Sequence, residues 1–176
     1  GNGGLVGRAD RPEQPPVSVS KKDFRFDPVT REFSSISGGR QFGNTFDDWG
    51  NRFICNIRNP IQHIVLPYRA LLRNPYLTVP SPLQDVAESG DQIPVYRRSP
   101  PEPWRVVNAG RLAAAADPRT PRSEQNAVGY MTSACGLTVY RGDAYPAEFR
   151  QQVFLGEVSG NLIHRQQLEA DGVTFK

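Results

Sequence analysis

Residues 42–66 read Phe42-Gly-Asn-Thr-Phe-Asp-Asp-Trp-Gly-Asn-Arg-Phe-Ile-Cys-Asn-Ile-Arg-Asn-Pro-Ile-Gln-His-Ile-Val-Leu66. Phe42 to Phe46 has the length and composition of a short strand. Asp47-Asp-Trp-Gly-Asn is a turn, because acidic side chains bond backbone amides and Gly50 supplies a positive φ. Arg52 to Ile57 and Ile61 to Leu66 follow as strands, divided by Asn59-Pro60. Strand and turn alternate about every ten residues, the cadence of an all-β sandwich or propeller.

Upstream, residues 1–22 form a leading loop marked by Gly1-Asn-Gly-Gly and by Pro12, Pro15 and Pro16. The glycines are no phosphate loop, since no strand and no Lys-Ser/Thr accompany them. Asp23-Phe-Arg-Phe-Asp then alternates aromatic with charge, the period of a half-buried strand. Asp27-Pro-Val-Thr30 turns with proline in second place, and Glu32-Phe-Ser-Ser-Ile36 returns as the partner strand. Downstream, residues 67–129 break the cadence. Pro75, Pro80, Pro82, Pro94, Pro100, Pro101 and Pro103 each lack a ladder donor. Tyr68 to Leu72 suits one helical turn, and Ala113 to Ala116 is short for a helix. The expectation is an irregular insertion, long enough to be functional or packed on a neighbour. From residue 130 the cadence resumes: Cys135 to Tyr140, Val153 to Glu157, Leu162 to Leu168, and a last strand at Val173-Thr-Phe175. Phe42–Leu66 and Cys135–Leu168 share one strand-turn pattern, a repeat by pattern only.

Composition agrees. Glycine and proline supply 16 residues each, so 32 of 176 are backbone punctuation, too many for a chain dominated by long helices. Seventeen aromatics argue against disorder. No stretch reaches the roughly 20 apolar residues of a membrane span, and no basic, then apolar, leader opens the chain. It reads as a soluble piece of something longer. Net charge is +3. The excess is local: residues 97–122 hold six arginines against Glu102 and Asp117. Without interleaved aromatics and lysines this is a solvated loop and no nucleic-acid surface. Cys55 and Cys135 match no metal or haem spacing. They are two buried thiols, or a disulfide between neighbouring strands in an oxidising compartment.

The run Ala134-Cys-Gly-Leu-Thr-Val-Tyr-Arg-Gly-Asp-Ala-Tyr-Pro-Ala-Glu-Phe-Arg150, then Val153-Phe-Leu-Gly-Glu-Val-Ser-Gly-Asn-Leu-Ile-His-Arg165 and Leu168-Glu-Ala-Asp-Gly-Val-Thr-Phe175, resembles the late blades of glucose/sorbosone dehydrogenase-type β-propellers. It is most similar to the planctomycete branch called membrane-bound dehydrogenase proteins. Asp23-Phe-Arg-Phe-Asp-Pro, Gly38-Gly-Arg-Gln-Phe-Gly, Phe46-Asp-Asp-Trp-Gly-Asn-Arg-Phe and Ser99-Pro-Pro-Glu-Pro-Trp-Arg-Val-Val fit that branch too, so the likeness covers roughly two thirds of the chain.

The resemblance implies an all-β chain: part of a propeller of four-stranded blades with a Pro-rich insertion, residues 1–176 forming one segment. It places blade strands at 23–66 and a further blade at 130–176. It implies the C-terminal part of a sugar or alcohol dehydrogenase, with pyrroloquinoline quinone and calcium as cofactors, in the periplasm or cell envelope. The family's histidine base belongs to an earlier blade, so no catalytic residue is assigned. Arg40 and Gln41 fall where an Arg-Asn pair contacts the quinone, and a guanidinium fork suits a quinone carboxylate. Ser159 falls where the family has a cofactor-contacting lysine. The other reading is a non-catalytic module for a polysaccharide or protein partner, since propellers host many functions.

The remaining candidates read as structural. His63 and His164 lie singly on strands. Asp47 and Asp48 cap a turn. Asp143, Glu148 and Glu157 offer hard oxygens to calcium but at no known loop spacing. Uncovered sheet edges template pairing with other chains, so the expected partners are the remaining blades or further copies of the chain.

Overall fold

The computed structural model describes residues 3–176, so the Gly1-Asn2 part of the leading loop lies outside the described residues. In chain order the elements are β1 (Leu5–Val6), β2 (Val17–Ser18), β3 (Lys22–Phe26), β4 (Phe33–Ser37), β5 (Phe42–Phe46), β6 (Arg52–Cys55), β7 (Gln62–Ile64), α1 (Tyr68–Leu71) and β8 (Leu83–Asp85). There follow α2 (Pro103–Ala115), β9 (Ala134–Val139), β10 (Val153–Glu157), β11 (Leu162–Gln166), β12 (Ala170–Asp171) and β13 (Thr174–Phe175). Strand holds 29% of the chain and helix 11%, all in small antiparallel sheets, so the class is all-β. The chain divides into two compact units. One comprises the residues up to Gln41 with Ile64–Gln84; the other comprises Phe42–His63 and Asp85–Lys176.

In the first unit β1 pairs with β2 and β3 with β4, each antiparallel. Asp27 closes the β3–β4 turn by accepting from the N–H groups of Val29 (2.8 Å) and Thr30 (3.0 Å), as its place before Pro28 predicts. Phe24, Phe26 and Phe33 cluster on this hairpin, with centroids 5.4 to 6.4 Å apart. Phe24 and Phe26 stay exposed. Among the described residues this unit buries no large apolar side chain.

The second unit carries the core. Phe53, Ile61, Met131, Val153 and Leu155 are fully buried there, each stabilising by about 1.5–3 kcal/mol relative to exposure. Phe53, Val153 and Leu155 lie on strands of two meanders, and Ile61 and Met131 on the segments that lead into β7 and β9. The first meander is the sheet β5-β6-β7-β8; the second is β9-β10-β11.

The two meanders share one register. Phe46, Thr45 and Phe42 face Arg52, Phe53 and Cys55, leaving Gly43 and Asn44 against the single residue Ile54. Val139, Thr138 and Cys135 face Val153, Phe154 and Gly156, leaving Gly136 and Leu137 against Leu155. The bulged glycines have φ of +71° and +63°, the left-handed state that a glycine-led bulge requires. Their strands read Phe-Gly-Asn-Thr-Phe and Cys-Gly-Leu-Thr-Val. The repeat expected from strand pattern alone is therefore a repeat of hydrogen-bond register.

The first strands also meet. A Cβ on Gly43 would stand 2.7 Å from both Cys55 Sγ and Leu137 Cβ, and the Val139 N–H donates to Thr45 Oγ1 (3.0 Å). Gly43 thus lies beside Leu137 and Thr45 beside Val139, so β5 and β9 run side by side in one direction. The Ala134 N–H extends the contact by donating to the Ile57 carbonyl (2.9 Å).

One expectation needs correction. Residues 67–129 are not irregular throughout, because Pro103–Ala115 is a 13-residue helix. Pro103 sits in its first turn, where a missing N–H costs nothing. No proline interrupts Trp104 to Ala116, and Ala116 ends the helix at φ +50°.

Gly136→Ala pays positive-φ strain alone, about 1 kcal/mol, because nothing lies within 4 Å of an added Cβ. Gly43→Ala adds a clash with Leu137, and its cost rises to roughly 3 kcal/mol. Urea midpoints of the two variants measure the difference; equal midpoints would contradict the close approach.

Candidate functional site

The most connected polar site in the second unit begins at Glu157, the last residue of β10. Its carboxylate is 1% exposed. A buried charge needs its acceptor sites filled, and here they are. Oε2 accepts from the N–H groups of Ser133 (2.8 Å) and Thr132 (3.3 Å). Oε1 accepts from the Ser159 N–H (3.1 Å) and from the Ser159 hydroxyl. With that hydroxyl proton committed, Thr132 Oγ1 must donate to Ser159 Oγ (2.8 Å). Thr132 Oγ1 in turn accepts from Arg105 Nη1 (2.9 Å), while Nη2 donates to Ser133 Oγ (2.9 Å). Every donor points one way, from the guanidinium through two hydroxyls to the carboxylate. The relay anchors the first turn of α2 to the end of β10.

That anchoring shapes a cleft of about 200 Å³, lined by Trp104, Arg105 and Asn108 of α2 and by Ser123, Glu124 and Asn126. The three helical residues fall on one face by their spacing. The Trp104 indole N–H donates to the Glu102 carboxylate, and the Arg105 guanidinium carbon lies 5.1 Å from the indole centroid.

The residues singled out from sequence fall elsewhere. Arg40 is half-buried and Gln41 exposed, in the connection between β4 and β5; just before them, the Gly39 N–H donates to the Asp23 carboxylate (2.8 Å). Ser159 belongs to the relay. Asp47 caps its turn as expected: Oδ1 accepts from the N–H groups of Trp49 (3.0 Å) and Asn51 (2.8 Å), and Oδ2 from Asn51 Nδ2 (2.7 Å). Asp48 is exposed beside Arg141 (3.7 Å) and Gln151. Asp143 pairs with Arg150, far in role from buried Glu157. The three calcium candidates do not assemble, and among the described residues no three His, Cys, Asp or Glu side chains group to hold an ion.

His63 is 4% exposed, between Phe53 and Phe175 with centroids at 5.2 Å, and its Nδ1 lies 3.1 Å from Thr174 Oγ1. Burial lowers its pKa below the usual imidazole value, partly opposed by Asp47. Burial lowers that of half-buried His164 likewise, opposed by a hydrogen bond with Gln166. Both cysteines are free thiols. Cys55 Sγ–H donates to the Phe42 carbonyl (2.6 Å), and burial pushes its pKa up to about 11, so it is no poised nucleophile.

Sequence reasoning missed Arg105, Asn108, Thr132 and Ser123. The one available signal was the proline-free run after Pro103.

The profile of the family described as Domain of unknown function (DUF7133) matches residues 1–176, and the chain belongs to that family. No curated protein and no solved structure matches it.

Because the two imidazoles are held neutral in the fold, the unfolded chain binds more protons below about pH 6.5. Stability is therefore full above that pH and falls as pH drops through the lowered folded values. Urea midpoints at pH 7.5, 6.0 and 5.0 follow this fall, and His63→Gln makes it shallower. An unchanged slope in the variant would show that His63 is not held neutral.

Proposed function

We propose that this chain supplies two blades of a propeller of the quinone-dependent sugar or alcohol dehydrogenase type, the other blades coming from flanking sequence or from further copies. The observation that carries this reading is the repeated register: two meanders with the same glycine bulge, their first strands side by side and in one direction. Units related by rotation about an axis along those strands have this relation, which is that of blades around a channel. The exposed phenylalanines of the β3–β4 hairpin support a missing neighbour, since an isolated two-stranded hairpin is marginal in water.

In this reading the chain contributes framework and one edge of the cofactor site. Arg40 offers a planar pair of donors to a quinone carboxylate, and Gln41 adds an amide beside it. The quinone, when bound, accepts the hydride of the substrate alcohol. The proton of that alcohol goes to a base on another blade, since His63 is enclosed by phenylalanines. Calcium ligands come from another blade as well. The same reading places the protein in the periplasm or cell envelope.

One observation favours the non-catalytic alternative, a propeller module that binds a polysaccharide or protein. Where the dehydrogenases carry a cofactor-contacting lysine, Ser159 spends its hydroxyl on Glu157.

Titration of the assembled propeller with pyrroloquinoline quinone and calcium, followed by quinone absorbance, separates the two. The dehydrogenase reading predicts a saturable spectral change that Arg40→Gln weakens about tenfold, the scale of one charge-assisted hydrogen bond. No change at any quinone concentration would leave the binding module.

A further inference from the structure

The cleft beside α2 lies outside everything assigned above: neither Arg40, Gln41 nor the strands β5 and β9 line it. Four observations describe what it accepts. First, Ser123 is 1% exposed, yet its hydroxyl has no hydrogen-bond partner among the described residues; such a group in a native fold implies a partner not drawn from the protein. Second, Arg105 is fixed by the relay and has used only two of its five N–H donors. Third, Glu124 is an acceptor, held through Oε1 by Arg58 Nη1 (3.3 Å). Fourth, Trp104 is 58% exposed, with its N–H already committed to Glu102. The ring is thus positioned, and its free surface is apolar.

The lining therefore combines a donor-only group, an acceptor-only group, two amides (Asn108 and Asn126), an unpaired hydroxyl and an indole. An anion placed there meets the Glu124 carboxylate. A cation meets Arg105. An apolar ligand leaves Ser123 unsatisfied. A neutral hydroxyl both donates and accepts, and so answers every polar group at once. Several hydroxyls around a ring with an apolar C–H face answer the indole too. We propose that this cleft binds a neutral pyranose sugar unit, with Trp104 beneath the ring and Arg105, Asn108, Ser123, Glu124 and Asn126 on its hydroxyls.

The proposal is independent of the propeller reading, and so is its test. The chain has two tryptophans, Trp49 and Trp104. Trp49→Phe at an exposed turn leaves Trp104 as the sole tryptophan, excited apart from the tyrosines at the red edge of indole absorption. This variant is titrated with the methyl glycosides of glucose, galactose and mannose, and in parallel with glucuronate and inorganic phosphate. At least one methyl glycoside changes the emission saturably, with a Kd of about 1–10 mM for a ligand of this size, and the anions bind at least tenfold more weakly. Ser123→Ala and Asn108→Ala each weaken the sugar about fivefold. Ser123→Ala leaves the urea midpoint unchanged or raised, because it removes an unpaired buried hydroxyl. Asn108 is exposed, so its variant reports binding even if Ser123→Ala misfolds. No saturable change with any of the three sugars would overturn the proposal. So would equal or tighter binding of phosphate or glucuronate, or sugar affinity untouched in both variants.

Discussion

The structure depends on the absence of a side chain at Gly43. With Cys55 Sγ and Leu137 Cβ each 2.7 Å from where a Cβ would stand, any other residue pushes β5 away from β9. The bulge that glycine permits also sets the pairing of β5 with β6, so one residue serves both the ladder and the contact between meanders. At the matching place Gly136 has the backbone state but open space around it. The two positions separate what the bulge needs from what the packing needs. The core follows from the contact: Leu137, Val139, Phe53 and Cys55 are buried where the first strands come together.

A second constraint operates at the edge of that core. Glu157 cannot be buried without donors, and it receives them from the segment 132–133 and from Ser159. The hydroxyl order that this imposes ends on Arg105 and holds a helix that has one buried residue of its own, Ala109. The helix contributes little by apolar burial. Its place is set by polar geometry, and the cleft it lines is polar for the same reason.

The strands were legible because their chemistry is local. Asp27 before Pro28, Asp47 before Gly50, and the aromatic alternation of Phe24 and Phe26 each act within a few residues. Val153–Glu157 is found where its apolar run predicts it. The helix was not legible, since prolines at 100, 101 and 103 suggested a break where the third of them opens a helix. The shared register was visible only as a pattern, because Phe-Gly-Asn-Thr-Phe and Cys-Gly-Leu-Thr-Val agree at two residues and the bulge lies in the pairing. The relay was not legible at all: Arg105, Thr132 and Glu157 are far apart in the chain, and each alone is an ordinary polar residue. Of the proposed cofactor contacts, Arg40 and Gln41 rest on resemblance, and the structure adds their placement just ahead of β5.

In the proposed propeller β5 and β9 are neighbouring inner strands about a common axis. The most direct measurement is a crystal structure of the chain with the flanking sequence or further copies that the proposal calls for. The account predicts a channel bordered by the first strand of every sheet, with Gly43 against Leu137 at one junction. A closed pair of face-packed sheets with no opening between their first strands would contradict it.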